Sequence, residues 1–332
     1  MTDTRFDVVG LGNAIVDVFA SVEDSFLAEH EIRKDGMTLI DEPRADALVE
    51  AAPEGPQLSG GSGANTIVGI SSFGGRAGYI GKVAKDTLGD VFRKDMNESG
   101  IPFDTPALED GPATARCIVF VTPDGARSMN TFLGASVLFS PADINEQMVK
   151  DAAILYLEGY LFDQEDAKAA FVHASEIAQA AGRKVALTLS DGFCVERHRD
   201  SFLHLIKNHV DLVFANEDEA LSLYQTEDFD EAVERMRADT GLAAITRSEK
   251  GSVVIGPEGV VAVPAEPVDK VVDTTGAGDQ YAAGFLFGVS KGLPLETCAK
   301  LGHIAAAEVI SHYGPRPETP YADLARKAGI EV

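Results

Sequence analysis

Asp273-Thr-Thr-Gly-Ala-Gly-Asp279 places two glycines and a carboxylate at the start of a predicted helix. The residues that follow, 280–290, are largely apolar and free of proline, which predicts that this helix is buried. Glycine at 276 and 278 permits a tight turn, and the helix N-terminus adds partial positive charge. The turn is therefore suited to binding an anion, especially a phosphate group that gains charge during a reaction.

Asp279 is an unexpected neighbour for a passive anion site, because its negative charge would repel phosphate. It is suited instead to take a proton from a hydroxyl that attacks the phosphate. The alternative is an ordinary capping aspartate on an ordinary helix. The spacing DxxGxGD directly before an apolar helix favours phosphoryl transfer.

The middle of the chain alternates short β-rich runs with helical stretches, which predicts a mainly parallel sheet covered by helices. This alternation begins after about residue 140, with predicted strands at 153–157, 185–189, 212–214, 243–246 and 252–255 and predicted helices at 164–181, 198–208, 217–223 and 229–240. Nearer the N-terminus, a buried strand is predicted at 6–12 and a half-exposed one at 15–22. A hairpin is predicted where 115–121 and 127–133 flank Pro123-Asp-Gly125. Ligands of such sheets lie beyond the carboxyl ends of the strands.

Length and composition agree with a soluble enzyme. A chain of 332 residues, 45% of them hydrophobic, is long enough for one large α/β core. The excess of 53 acidic over 28 basic residues gives a net charge of −25, which argues against nucleic-acid or anionic-membrane partners.

Cysteine usage and hydropathy predict a cytoplasmic protein. Cys117, Cys194 and Cys298 are far apart and odd in number, which indicates reduced thiols and not a disulfide framework or metal cluster. No apolar run is long enough to span a membrane, and no secretory signal is expected.

Two other glycine patterns do not predict a nucleotide site. Gly10-Leu-Gly12 follows a strand, but Ile15 occupies the third glycine position of the dinucleotide fingerprint. Gly81-Lys82 resembles the end of a Walker A loop, but Val83 replaces the required Ser or Thr. A third loop, Ser59-Gly-Gly-Ser-Gly-Ala-Asn65, opens an apolar helix; close helix packing and a ligand loop explain it equally well.

Four ordered motifs, at 10–17, 59–65, 216–219 and 273–279, resemble those of the ribokinase or PfkB family of small-molecule kinases. This resemblance implies a ribokinase-like α/β fold with a mainly parallel central sheet flanked by helices. It also implies a small β-sheet lid, here formed by about 14–45 and 112–135 and inserted within one kinase domain of residues 1–332.

The resemblance implies a role for each matching residue. Asp279 would be the catalytic base, and the anion hole would be formed by Gly276, Ala277 and Gly278. The acceptor would be bound by Asn13, Asp17, Gly60, Gly61 and Asn65, and ATP by Thr246, Ser248, Gly251, Asp273, Thr275 and Arg127. Mg²⁺ would be positioned, often through water, by Asn216 and Glu219. Arg127 is a better positional match than Arg116 for a cation that offsets the charge of the triphosphate. The chain departs from the family pattern at Ser248, where glycine is common, and at Gln280-Tyr281.

Within the family the chain is most similar to kinases that transfer the γ-phosphoryl group of ATP to the 5′-hydroxyl of adenosine. The supporting stretch is Gly302-His-Ile-Ala-Ala306, in which His303 is expected to be a packed core residue. An adenine ring needs apolar walls, for which Phe19, Leu39, Phe132 and Phe162 are candidates. A sugar kinase of the same family and a non-catalytic nucleotide sensor are the alternatives.

The expected ligands are ATP, Mg²⁺ and a nucleoside or sugar. A requirement for a monovalent cation such as K⁺, and the choice between monomer and homodimer, stay open at this point.

Overall fold

The computed structural model describes residues 4–332 and contains an eight-stranded central sheet. In spatial order its strands are β13, β12, β11, β10, β9, β8, β1 and β5. Their bounds are β1 Phe6–Leu11, β5 Ala77–Ile80, β8 Ala152–Glu158, β9 Lys184–Thr188, β10 Leu212–Asn216, β11 Ala243–Thr246, β12 Ser252–Gly256 and β13 Gly259–Val263. The first six in chain order pair in parallel, and β12 and β13 add an antiparallel edge, so the predicted mainly parallel sheet is confirmed.

Helices cover both faces of this sheet, because alternate strand residues point to opposite faces and both sets are apolar. The helices are α1 Asp24–Glu29, α2 Glu42–Ala51, α3 Ser62–Ser72, α4 Thr87–Glu98, α5 Glu146–Lys150, α6 Glu165–Ala180, α7 Gly192–Asn208, α8 Glu217–Tyr224, α9 Phe229–Asp239, α10 Ala277–Ser290, α11 Leu295–Val309 and α12 Tyr321–Lys327. Across residues 4–332 none of them combines the length and apolarity that a membrane crossing requires.

A second, smaller sheet of five strands has the order β3, β7, β6, β2, β4. Its strands are β2 Ile15–Ser21, β3 Met37–Leu39, β4 Gln57–Gly60, β6 Ala115–Val121 and β7 Arg127–Phe132. Strand β4 lies outside the two segments predicted to form the lid, and the hairpin β6–β7 lies where it was predicted. One face of this sheet packs against α1 and α2 through Ala20, Ile118 and Phe120.

The helix predicted at 198–208 begins six residues too late, because α7 begins at Gly192. The backbone leaves helical geometry at His198 (φ −125°, ψ 20°), where two helical pieces meet. The first piece is capped by Asp191, whose Oδ1 accepts a hydrogen bond from the N–H of Cys194 (2.6 Å). The first piece begins at Gly192, and glycine is unfavourable in helices, so the sequence does not indicate a helix there.

Helices α10 and α11 approach each other backbone to backbone at two glycines. A Cβ added at Gly284 would lie 2.5 Å from the carbonyl oxygen of Leu301, and one added at Gly302 would lie 2.7 Å from that of Tyr281. Neither backbone can move far, because both helices are packed in the core. This close approach fixes the position of α10 and therefore of the predicted site at its N-terminus.

We expect Gly284→Ala to destabilise the protein by about 1–3 kcal/mol, the usual effect of overpacking a core. Gly241→Ala is the matched control, since a Cβ added there meets nothing within 4 Å. The measurement is the free energy of unfolding in denaturant. Equal stability of the two variants would contradict the close approach of α10 and α11.

Candidate active site

Three predicted site residues, Asn13, Asn216 and Thr246, lie at the carboxyl ends of parallel strands, together with Glu158. Strand β1 is followed by Asn13, β8 ends at Glu158, β10 ends at Asn216 and β11 ends at Thr246. These strands are parallel, so their carboxyl ends lie along one edge of the sheet. Ligand sites of open α/β sheets occur at this edge.

The turn before α10 is held in a conformation that only glycine adopts readily. Gly276 has φ 81°, and a Cβ added there would lie 2.7 Å from the Cα of Pro315. Asp273 fixes the turn, because its Oδ1 accepts from the N–H of Thr275 and its Oδ2 from the N–H of Gly314, both at 3.0 Å. The N–H groups of the first turn of a helix have no partner within the helix, so this end can bind an anion.

Asp279 is the third residue of α10, after Ala277 and Gly278. Its Oδ1 accepts a hydrogen bond from the hydroxyl of Ser62 (2.6 Å), and its Oδ2 accepts one from Nδ2 of Asn65 (3.4 Å). Burial raises the pKa of Asp279 to about 6, although these two hydrogen bonds lower it. A carboxylate that is ionised at neutral pH with a pKa this close to neutrality is suited to general-base chemistry.

The predicted acceptor residues converge around β2. A Cβ added at Gly60 would lie 2.4 Å from Oδ2 of Asp17, so any side chain there would displace the carboxylate. Gly61 has φ 94°, and its added Cβ would lie 2.6 Å from the carbonyl oxygen of Asn13. Asn65, on α3, completes the group through its hydrogen bond to Asp279.

The carboxylate of Asp17 is partly buried next to Gly60. Burial raises the pKa of Asp17 to about 6, and the charges of Arg316 and Arg127 lower it. A carboxylate can accept hydrogen bonds from two neighbouring hydroxyls at once. The position therefore suits a ligand with a vicinal diol.

Glu158 is a buried carboxylate of this site that the sequence analysis missed. Its Oε2 accepts hydrogen bonds from the N–H groups of Asn13 and Gly63 (both 3.0 Å), and its Oε1 accepts from Nδ2 of Asn13 (3.2 Å). Burial raises the pKa of Glu158 to about 7. The available signal was an acidic residue directly after an apolar strand, 153–157, in a chain whose other strand ends carry polar site residues.

Arg127 reaches from the smaller sheet to the turn before α10. Its Nη1 lies 2.7 Å from Oδ2 of Asp273, and both side chains are largely buried. The guanidinium lies over the rings of Phe19 and Tyr313, 5.4 Å and 5.8 Å from their centroids. The structure thus brings Arg127 to the glycine turn before α10, where it forms an ion pair with the carboxylate of Asp273.

The two predicted metal residues cap helix α8 for each other. The N–H of Glu219 donates to Oδ1 of Asn216 (2.8 Å), and the carboxylate of Glu219 accepts from the N–H and Nδ2 of Asn216 (3.0 and 2.7 Å). Burial raises the pKa of Glu219 to about 7. Among the described residues no three His, Cys, Asp or Glu side chains are grouped to hold a metal. One carboxylate fits a cation that keeps most of its waters, as Mg²⁺ does.

The predicted nucleotide loop lies beside this cap, because Thr246 is in register with Asn216 across β11 and β10. Gly251 has φ 89°, and its added Cβ would lie 2.1 Å from the carbonyl oxygen of Val263. Ser248 has φ 50°, a left-handed conformation that glycine adopts without strain. The departure from the family pattern at Ser248 therefore keeps the backbone conformation that a glycine would favour.

The departure at Gln280-Tyr281 is explained by two sets of hydrogen bonds. The hydroxyl of Tyr281 donates to Oγ of Ser252 (2.8 Å), which also lies 2.9 Å from Nε2 of His303. The expected packed core histidine is confirmed. Nε2 of Gln280 donates to the carbonyl oxygens of Asn65 (3.1 Å) and Pro315 (2.8 Å), joining α10 to both segments that flank Asp279.

Two of the four predicted apolar walls lie elsewhere. Paired residues share a face of a sheet, and register places Phe19 and Leu39 on the face that carries Asp17. Phe132 has the opposite register and packs against the apolar cluster under α1 and α2. Phe162 is wrong as a wall residue, because it is buried in the central core, where its ring stacks on Phe202.

We expect Glu158→Ala to destabilise the protein by about 2–4 kcal/mol, because three donors in a buried place would lose a charged acceptor. Glu165→Ala is the control, since its carboxylate pairs with Lys168 on an exposed helix turn. Denaturant unfolding of both variants gives the comparison. A loss of less than about 0.5 kcal/mol for Glu158→Ala would show that these donors find other partners.

Comparison with known proteins assigns the chain to a family. The model of the pfkB family of carbohydrate kinases matches residues 33–321. The chain is 51% identical to the adenosine kinase from Sinorhizobium meliloti (TM-score 0.89) and 48% identical to a probable sugar kinase from Rhizobium etli (TM-score 0.90). Each comparison covers 98% of this chain and 99% of the other. It is 28% identical to adenosine kinase from Saccharomyces cerevisiae, over 93% of this chain and 96% of that protein. The chain belongs to the pfkB family and is a phosphotransferase with an alcohol group as acceptor.

Proposed function

We propose that this enzyme transfers the γ-phosphoryl group of ATP to the 5′-hydroxyl of adenosine. The observation that carries the proposal is the partly buried carboxylate of Asp279, held by Ser62 and Asn65 beside the glycine turn at the N-terminus of α10. A base and an anion site in direct contact are the two groups that phosphoryl transfer to a hydroxyl needs.

Asp279 accepts the proton of the attacking hydroxyl as the new bond forms between the hydroxyl oxygen and the γ-phosphorus. The bond from the γ-phosphorus to the oxygen that bridges it to the β-phosphorus breaks, and ADP leaves with the electron pair of that bond. The turn at 276–278 and the positive end of the α10 dipole stabilise the charge on the transferred group. A sensor without catalysis would have no use for the base.

The face of the smaller sheet that carries Asp17 favours a nucleoside over a sugar. On this face Met37, Leu39 and Leu58 are 48%, 56% and 48% exposed, although large apolar side chains are usually buried. Phe19 lies on the same face. An apolar surface next to a diol-binding carboxylate matches adenosine, whose ribose carries a vicinal diol and whose base is flat and apolar.

The names of the relatives support the same choice in part. The bacterial protein with 51% identity and the yeast relative are both called adenosine kinases. The relative with 48% identity is called a probable sugar kinase, so the sugar alternative is tested below.

Mg²⁺ bound with ATP would neutralise phosphate charge, with Glu219 and Asn216 holding it through water. Arg127 would add a second positive charge by moving from Asp273 to a phosphate oxygen. Thr246 and Gly251 would contact the nucleotide along the loop beside Asn216.

We expect Asp279→Asn to lower kcat by about 10²–10⁴-fold while the Kd for ATP changes little, because the base is lost and the anion turn stays. Asp90→Asn is the matched control, since Asp90 is an exposed aspartate in the first turn of α4. Steady-state kinetics and ATP titration give both quantities. Turnover of Asp279→Asn at the wild-type rate would show that Asp279 only caps helix α10, and it would refute the mechanism.

We expect adenosine to have a higher kcat/KM than inosine, guanosine, ribose or fructose under one set of conditions. Asp17→Ala and the 2′- and 3′-deoxy analogues should each be severely impaired, because a hydroxyl or its acceptor is left unpaired in a closed site. Leu39→Ala should raise the KM for adenosine roughly tenfold, the effect of losing most of one apolar contact. Val49→Ala, on the outer helix α2, is the control.

The decisive result is the order of the acceptors by kcat/KM. If ribose or fructose is phosphorylated better than every nucleoside, the sugar alternative replaces adenosine, and Asp279 keeps its role.

A further inference from the structure

Arg316 is a largely buried arginine that lies between the acceptor residues and the segment after α11. Its Nε donates to Oδ1 of Asn65 (3.2 Å), and its Nη1 donates to Oδ2 of Asp95 (3.1 Å). The side chain is 19% exposed. Neither the motifs of the sequence nor the proposed mechanism gives it a part.

The contact with Asn65 decides which way that amide points. An amide has one accepting end and one donating end, whereas a guanidinium can only donate. Because Oδ1 of Asn65 faces Arg316, its Nδ2 is the end that faces Asp279. Reversal of the amide would place two donors together at Arg316 and two acceptors together at Asp279.

The position of Arg316 is itself fixed on two sides. The carbonyl oxygen of the preceding residue, Pro315, accepts from Nε2 of Gln280 on α10 (2.8 Å). Asp95 also accepts from the N–H of Ser59 on β4 (2.8 Å), which ties Arg316 to the smaller sheet. Arg316 therefore has a defined place relative to both the base and the acceptor loop.

We propose that Arg316 is a positioning residue for the base: it holds the amide of Asn65 so that Nδ2 donates to Asp279 and aims the carboxylate at the acceptor hydroxyl. This inference rests on the proposed role of Asp279. It adds that Arg316, in the segment after α11, sets the orientation of the Asn65 amide, and that this orientation keeps Asp279 ionised and in place.

Replacing Arg316 by Met also removes a positive charge from the surroundings of Asp17, Asp95 and Tyr79, whereas Arg316→Lys keeps it. Other titratable groups surround Asp279 itself. Those that interact with its charge are Tyr79 on β5, Tyr156 and Glu158 on β8, Tyr160 after β8 and Tyr321 on α12. Burial, Ser62 and Asn65 set the pKa of Asp279 itself. A change that removes only the donation from Asn65 should raise that pKa, so the loss of rate on acidification should begin at a higher pH.

The test is the pH dependence of kcat for Arg316→Met, Arg316→Lys, Asn65→Leu and the double variant Arg316→Met/Asn65→Leu. We expect Arg316→Met to lower kcat about 10- to 100-fold, most strongly at acid pH, with the KM for ATP unchanged. Arg316→Lys, which still donates, should recover most of the rate and the wild-type profile. In the Asn65→Leu background Arg316→Met should have little further effect, because both changes remove the same interaction.

Arg326→Met is the matched control, since Arg326 forms an exposed ion pair with Asp323 on α12. Thermal unfolding checks that each variant folds; Arg316→Gln, too short to reach Asn65, replaces Arg316→Met if the latter does not. A wild-type profile in Arg316→Met, or an equal loss at every pH that persists in the Asn65→Leu background, overturns the inference.

The failure of this inference is distinct from failure of the proposed function. If Asp279→Asn is inactive and Arg316→Met behaves like the wild type, the base stands and the positioning role falls. If Asp279→Asn turns over normally, the proposed function falls first and the inference falls with it.

Discussion

The partial burial of the Asp279 carboxylate is the constraint around which the site is built. A buried charge is costly unless hydrogen bonds and dipoles stabilise it, and here Ser62, Asn65 and the N-terminus of α10 do so. The stabilisation is partial, since burial still raises the pKa of Asp279 to about 6. A fully stabilised carboxylate would be a weaker base, so the incomplete pairing serves the proton transfer that we propose.

Three parts of the chain that are distant in sequence meet to maintain this arrangement. Helix α3 supplies the two donors to Asp279, and Gln280 on α10 joins α3 to the segment at 315. The smaller sheet is connected through the ion pair of Arg127 with Asp273 at the turn before α10. A shift of any of these parts would change the surroundings of the base, and the close packing of α10 on α11 holds the helix that carries it.

The sequence predicted the elements with strong periodicity and the motifs with strong glycine or cap signals. The strand at 243–246 and the hairpin were placed correctly, and the glycine turn lies where the motif indicated. Contacts made by single residues were not predictable, because Glu158 and Arg316 act through partners 95 or more positions away. The place of Glu158 after an apolar strand does not identify its partners, and Arg316 carries no local pattern. Phe162 was misplaced because an aromatic in an apolar run fits a core and a ligand wall equally well.

The central claim, that Asp279 is a partly buried base with a pKa shifted toward neutrality, can be tested directly by NMR. Carboxyl carbon resonances of ¹³C-labelled protein would be followed from pH 4 to 8, and the Asp279 signal would be identified by its absence in Asp279→Asn. The expected titration midpoint of Asp279 is near 6, well above the ordinary value for an aspartate of 3.8. A midpoint at or below that ordinary value would show a fully stabilised, solvated carboxylate and would contradict the account.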